Sequence, residues 1–180
     1  GPKKEIEIAQ KMVGFYGSTK ERRSSWLGTS AREKLAELTG VSDPYEELKV
    51  QANEFALEQL PKFREYLQGV TDPYESFEKA CLGSVIGNQM EFFLMEHSFE
   101  LRFPKSLEEM LNEQDFAQND LQKTYEILKG ARNVLLLTDN AGEIAFDRVL
   151  IETILDLFPN IKLTVGVKPK PIINDATMKD

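Results

Sequence analysis

The sequence predicts an α/β protein, with an all-α helical domain over residues 1–130 and the start of a three-layer α/β/α, Rossmann-like domain over residues 131–180. Three observations carry this expectation. Apolar residues recur at helical spacing from residue 4 to about 130, beginning with Ile6, Ala9, Met12, Val13 and Tyr16 on one face. At residue 131 the pattern gives way to the continuous apolar run Val134-Leu135-Leu136-Leu137, of the kind found in a strand buried on both faces. A helical stretch through Ile144, Val149, Ile151, Ile154 and Leu155 then leads to a second strand around Lys162–Val167, which makes a parallel strand-helix-strand unit with a right-handed crossover.

The punctuation between helices is explicit. Two helices are expected to open on the same tetrapeptide, Asp43-Pro44-Tyr45-Glu46 and Asp72-Pro73-Tyr74-Glu75, with Asp as cap, Pro in the first helical position and Glu completing a capping box. Pro61 is expected to break or kink the helix running to Leu67, and Gly69 to turn the chain into the next one. Ser106-Leu107-Glu108-Glu109 reads as a further capping box, and Asn119 or Asp120 starts a helix that ends near Lys129-Gly130. A Pro159-Asn160 stop closes the last helix. Two parallel strands and one helix cannot cover both faces of a sheet, so the chain is expected to stop inside a domain, with a missing C-terminal segment or a partner chain completing the sheet.

Composition narrows the function classes. An apolar fraction of 41% over 180 residues suits an ordinary globular chain rather than a disordered one. With 30 acidic against 22 basic side chains, the formal charge of -8 repels a phosphate backbone and argues against nucleic-acid binding. No stretch approaches the ~20 apolar residues of a membrane span, and the charged N-terminus lacks the apolar core of a signal peptide. Gly1-Pro2 reads either as an expression scar or as the place where a longer chain was cut. The one cysteine, Cys81, sits among Ala80, Leu82 and Val85 and reads as a core thiol, which fits a reducing cytoplasm.

The chemistry is expected where the strands end. Ligands of parallel sheets collect beyond the carboxyl ends of adjacent strands, and Asp139-Asn140 leaves the first strand there. After the second strand, Lys168-Pro169-Lys170-Pro171 leads to Asn174-Asp175, which returns a carboxylate to the same edge. Asp139, Asn140 and Asp175 then offer two carboxylates and an amide oxygen, a hard set suited to Mg²⁺ or Mn²⁺, with Ni²⁺ or Co²⁺ as further candidates. Gly142 lets the backbone approach closely, and the helix starting there is expected to aim free N–H groups at an anionic oxygen. Such a site suits hydrolysis of a phosphate monoester, with Lys168 and Lys170 the nearest cations. Glu143 serves either as dipole compensation or as an acceptor for a substrate hydroxyl, and Asp147 lies four residues further along the same helix. Asn88 is the helical domain's candidate for contacting substrate, since an amide sharing a face with Cys81, Val85 and Phe92 needs partners. His97 reads as exposed, and Trp26 as a packing anchor for a surface loop.

The segments Thr138–Asp147 and Lys170–Thr177 resemble the signature of the DUF89 damage-control phosphatases, the ARMT1-like metal-dependent phosphatases, and the match is to archaeal-type members. Asp43–Lys49 and Gly87–Phe92 are similar to helical-domain motifs of the same members, so the resemblance covers most of the chain. It implies that Asp139, Asn140 and Asp175 ligate the metal and that the activity is hydrolysis of sugar phosphates or damaged phosphometabolites. Three departures stand beside it. Glu91 replaces the family's usual Asp, the N-terminal cysteine pair is absent, and no counterpart of the phosphate-anchoring lysine segment precedes Asp180.

Rival readings are distinguishable. A phospho-aspartyl mechanism of the haloacid-dehalogenase type wants a second Asp two positions after the first, where Ala141 stands. A methyltransferase wants a glycine-rich loop, which Asp139-Asn140-Ala141-Gly142 is not. The alternative from another class is a non-catalytic module stabilised by a structural cation.

Overall fold

The computed structural model describes residues 1–20, 23–96, 105–113 and 116–180, with side chains described except for Ser25 and residues 90–96. His97 falls outside the described residues, as does the side chain of Glu91. The helices are α1 (Pro2–Ser18), α2 (Ser24–Thr39), α3 (Glu46–Gln68), α4 (Pro73–Glu96), α5 (Leu107–Glu113) and α6 (Leu121–Gly130). Strand β1 (Asn133–Leu137), helix α7 (Glu143–Leu157) and strand β2 (Lys162–Gly166) complete the order. The α/β reading holds: β1 and β2 pair in parallel, with Asn133 opposite Lys162 and Leu137 opposite Gly166. Among the described residues no helix is long and apolar enough to cross a membrane.

The two Asp-Pro-Tyr-Glu segments behave differently. Asp72 Oδ1 accepts the Glu75 N–H at 2.8 Å, and α4 begins at Pro73 as expected. Asp43 Oδ1 instead takes the Tyr45 N–H at 3.0 Å, and α3 starts only at Glu46. The second oxygen of Asp43 explains the difference, because it is held 2.8 Å from Lys49 Nζ rather than left to cap the helix. Pro61 does not end α3. It lies on the exposed side with Leu57, one turn before it, so the missing N–H falls where water can replace it. Ser106 and Glu109 form the expected reciprocal capping box.

The core lies between α3, α4, α5 and α7, and its centre is a set of close helix contacts. Phe63 of α3 and Phe146 of α7 are fully buried with ring centroids 5.9 Å apart. Gly83 and Gly87, one turn apart on α4, let the helix settle against these rings; a Cβ at Gly87 would meet Phe146 at 3.1 Å. A second cluster joins Phe77, Tyr125, Ile154 and Ile161, with Val134 and Leu163 packed against it, which ties the sheet to α7. Helix α7 therefore shares apolar cores with the helical segment before it.

Strand β1 has one face covered by α7 and one left bare, with Leu135 and Leu137 63% and 76% exposed, in keeping with the expectation that two strands and one helix cannot cover both faces of a sheet. Three expectations are corrected here. Trp26 lies in α2 rather than in a loop and is largely exposed, with the Arg23 guanidinium carbon 4.9 Å from its ring centroid. Of the α1 face read from the sequence, Ile6, Ala9, Val13 and Tyr16 are exposed and only Met12 is half-buried, together with Ile8 and Phe15 beside it. Cys81 is half-buried rather than fully enclosed, although burial and the nearby Glu78 push its thiol up to about 12. Its thiolate is then scarce at pH 8, and alkylation by iodoacetamide is expected to run at least a hundredfold slower, roughly, than for an ordinary thiol. Labelling at the rate of a free cysteine would contradict that environment.

Candidate metal and substrate site

The end of β1 is pinned before the site begins. Thr138 donates both its N–H and its hydroxyl to the Gly166 carbonyl, at 3.0 and 3.1 Å, closing the loop onto β2. The next residues pair with the segment after β2. The Asp139 carbonyl accepts the Ala176 N–H at 2.6 Å, the Ala141 N–H reaches the Asn174 carbonyl at 2.9 Å, and Asn140 forms an antiparallel bridge with Asp175. Lys168 N–H donates to the Ala176 carbonyl at 2.9 Å. Asp139, Asn140 and Asp175 thus come from two directly bridged backbone segments beyond the carboxyl ends of both strands. The turn carrying Asp175 holds Ile173 at φ 51°, a left-handed position that costs a β-branched residue about 1–3 kcal/mol.

The side chains divide the work. Asn140 is buried, and its amide N–H₂ donates to Asn88 Oδ1 and to Glu143 Oε2, each at 3.3 Å. Its amide oxygen, the hard donor, is thereby left for another ligand. The Asp139 side chain is exposed, and Asp175 is paired with Lys168 at 3.1 Å. Lys170 pairs with Glu33 of α2 instead of facing the site. Among the described residues no group of three or more His, Cys, Asp or Glu side chains assembles a metal cage. The candidate set is of a different kind, two carboxylates and one oriented amide.

Glu143 and Asp147 stand behind these ligands on α7. Burial, then the charge of Asp147, pushes the Glu143 carboxyl up to about 7, against the pull of the Asn140 N–H at 3.5 Å. Burial also raises Asp147, opposed by the Ser84 hydroxyl that donates to it at 2.5 Å. Both carboxyls feel Asp139 as a like charge. The negative potential here suits a cation.

The expected set of free amides is smaller than the sequence suggests. Four amides around the start of α7 are already engaged: the Gly142 N–H donates to Asn53 Oδ1 at 2.6 Å, and those of Ala141, Ile144 and Ala145 go to Asn174, Asn140 and Gly142. Gly142 does allow a close approach at φ 84°, but to helix α3, where a Cβ would stand 3.0 Å from that of Ala52. Residues the sequence reading missed lie on that helix: Asn53 and, beneath it, Lys49. A lysine in register with the apolar positions Ala52, Ala56 and Leu60 was the available signal. A separate cleft of about 790 Å³, lined by Phe55, Lys62, Tyr66 and Lys105 among others, holds none of the predicted site residues.

These features define an α/β protein with an acidic, amide-bearing site at the carboxyl edge of a parallel sheet. The family model of the damage-control phosphatase ARMT1-like domain matches residues 3–180, and the chain belongs to that family. It is 37% identical over 155 residues to a damage-control phosphatase of Archaeoglobus fulgidus, covering 86% of this chain and 51% of that protein. It is 36% identical over 157 residues to an uncharacterized protein of Methanocaldococcus jannaschii, covering 87% and 50%. The solved structure of a DUF89 family protein from Pyrococcus horikoshii superposes with a TM-score of 0.80 at 24% identity, over 100% of this chain and 60% of that one, and shares the fold. The chain spans about half the length of the curated relatives it matches.

Proposed function

We propose that this chain carries the metal-binding part of a phosphatase that hydrolyses phosphate monoesters of small metabolites, either sugar phosphates or damaged phosphometabolites, in the cytoplasm. The observation that carries the reading is the bridged pair of loops, which brings two carboxylates and an oriented amide oxygen to one sheet edge. Two curated relatives bear the name damage-control phosphatase, which supports the same reaction class.

In this reading Asp139, the Asn140 amide oxygen and Asp175 hold a divalent cation, Mg²⁺ or Mn²⁺ by hardness, with Ni²⁺ or Co²⁺ as alternatives. When bound, the cation polarises phosphoryl oxygens and lowers the pKa of water. The protein's own groups do the rest. Asn88 and Glu143 keep the amide of Asn140 turned oxygen-outward. Lys168, which otherwise pairs with Asp175, offers its ammonium to the phosphate. Glu143, with its carboxyl raised to about 7, holds or accepts a proton near neutral pH and suits a substrate hydroxyl.

The test is phosphate release from a panel of sugar phosphates by the full-length gene product. Chelation with EDTA is expected to lower the rate at least a hundredfold, roughly, with recovery on adding Mn²⁺ or Mg²⁺. Turnover indifferent to EDTA would overturn the reading.

A further inference from the structure

We propose that Lys49 is a positioning residue for the candidate metal site: through a buried Asp43–Lys49–Asp180 ion triad, and with Asn53 one turn along α3, it fixes both loops that carry Asp139, Asn140 and Asp175. The inference rests on the reading of those three residues as ligands. Lys49 is 3% exposed, and its Nζ lies 2.8 Å from Asp43 Oδ2 and 3.4 Å from Asp180 Oδ2. Both carboxylates are buried as well. Three desolvated charges are a poor way to stabilise a core, since apolar residues of similar volume commonly do as well or better. What such a triad supplies is geometry: a lysine here specifies where two carboxylates must sit.

The contacts lead from the triad to the ligands without a gap. Asp180 Oδ2 accepts the Thr177 N–H at 3.0 Å and its hydroxyl at 2.8 Å, which closes the turn two residues beyond Asp175. Asn53 Nδ2 donates to Asp180 Oδ1 at 3.3 Å, while Asn53 Oδ1 accepts the Gly142 N–H at 2.6 Å. One amide therefore joins the loop after β1 to the loop after β2. Lys49 and Asn53, four residues apart, share a face of α3, so a single rigid helix braces both. The first Asp-Pro-Tyr segment acquires a purpose that capping does not give it, which is to deliver Asp43 to Lys49. Burial alone would lower the Lys49 pKa, but the hydrogen bond to Asp43 and the charges of Asp180 and Asp43 outweigh it and hold it above the ordinary lysine value. Burial likewise works to raise Asp180, yet the Thr177 hydrogen bonds and the Lys49 charge keep it below the usual carboxylate range.

Hydrogen exchange read by mass spectrometry, with Mn²⁺ affinity read by electron paramagnetic resonance, tests this on the purified chain. Lys49→Met is expected to speed exchange about tenfold or more in peptides covering 138–146 and 172–180, to leave α4 protected, and to weaken Mn²⁺ binding about tenfold. Lys49→Arg is expected to restore part of both. Asn53→Ala leaves no charge unpaired and is expected to loosen the same two peptides, which keeps the test alive should Lys49→Met not fold. A uniform rise in exchange along the chain, or unchanged Mn²⁺ affinity with loosened loops, would overturn the inference. Loosened loops in the variants of a parent that binds no Mn²⁺ would leave the brace standing and sink the metal reading instead.

Discussion

Asp139→Ala in the full-length protein is expected to abolish metal-stimulated phosphate release, by about a thousandfold or more, while leaving the metal-free protein as stable as the parent or slightly more so. The two halves of this expectation have separate causes. A carboxylate that would hold the charge-neutralising cation contributes about 4 kcal/mol to transition-state stabilisation when its loss costs a thousandfold. Folding stability runs the other way, because the Asp139 side chain is exposed and acts on Glu143 and Asp147 only as a like charge. Removing it relieves a minor share of the repulsion, so the Glu143 carboxyl should fall a little while burial and Asp147 keep it raised. The sign for stability follows: a carboxyl raised in the folded state penalises folding increasingly as pH climbs from its unfolded value through the folded one. The variant's advantage should therefore be largest near pH 7 and vanish below pH ~4. Thermal melts across that range, beside a phosphate assay, measure both. A variant that keeps its activity, or that loses it only by unfolding, would remove Asp139 from the site.

Much of the frame behind this expectation was legible in the sequence. The helical periodicity up to residue 130, the run Val134–Leu137 and the Asp-Asn-Ala-Gly turn located the elements, because each depends on local spacing. The return of Asp175 to the same edge was readable for a similar reason: parallel pairing of β1 with β2 forces the following loop to start beside Asp139. What was not legible depended on partners distant in sequence. That the ammonium paired with Asp43 would be shared with Asp180, 137 positions on from Asp43, could not be read from local spacing. That the amides of Gly142 and its neighbours would be taken was equally hidden, since Asn53 lies 89 residues away. Strand β1 shows the same division between local pattern and distant partners. A continuous apolar run reports what a strand is suited to, whereas burial depends on which layers are present to cover Leu135 and Leu137.

The largest expected stability effect comes from the core rather than the site. Gly83→Ala should lower the melting temperature by about 6–12 °C, equivalent to roughly 3 kcal/mol for a chain of this size. Two terms compete. Alanine in place of glycine within a helix gains about 1 kcal/mol from backbone entropy and propensity. Against it, a Cβ at residue 83 would overlap the outer edge of the Phe63 ring, at Cζ and Cε1. Phe63 cannot swing clear, being fully buried and packed on Phe146, so α4 must move away from α3 or the ring must leave its place. The contact is too short for small adjustments, and the steric term wins. Gly87→Ala, whose Cβ would meet Phe146 at 3.1 Å, should cost less, because a few tenths of an ångström relieve it. Gly130→Ala, with nothing within 4 Å, should cost nothing. The graded order of the three melts separates overpacking from a general intolerance of glycine replacement. Adding Phe63→Leu to Gly83→Ala should recover part of the loss, since the smaller side chain vacates the volume the new methyl needs. A Gly83→Ala protein that melts at or above the parent's temperature would mean that α3 and α4 do not approach this closely.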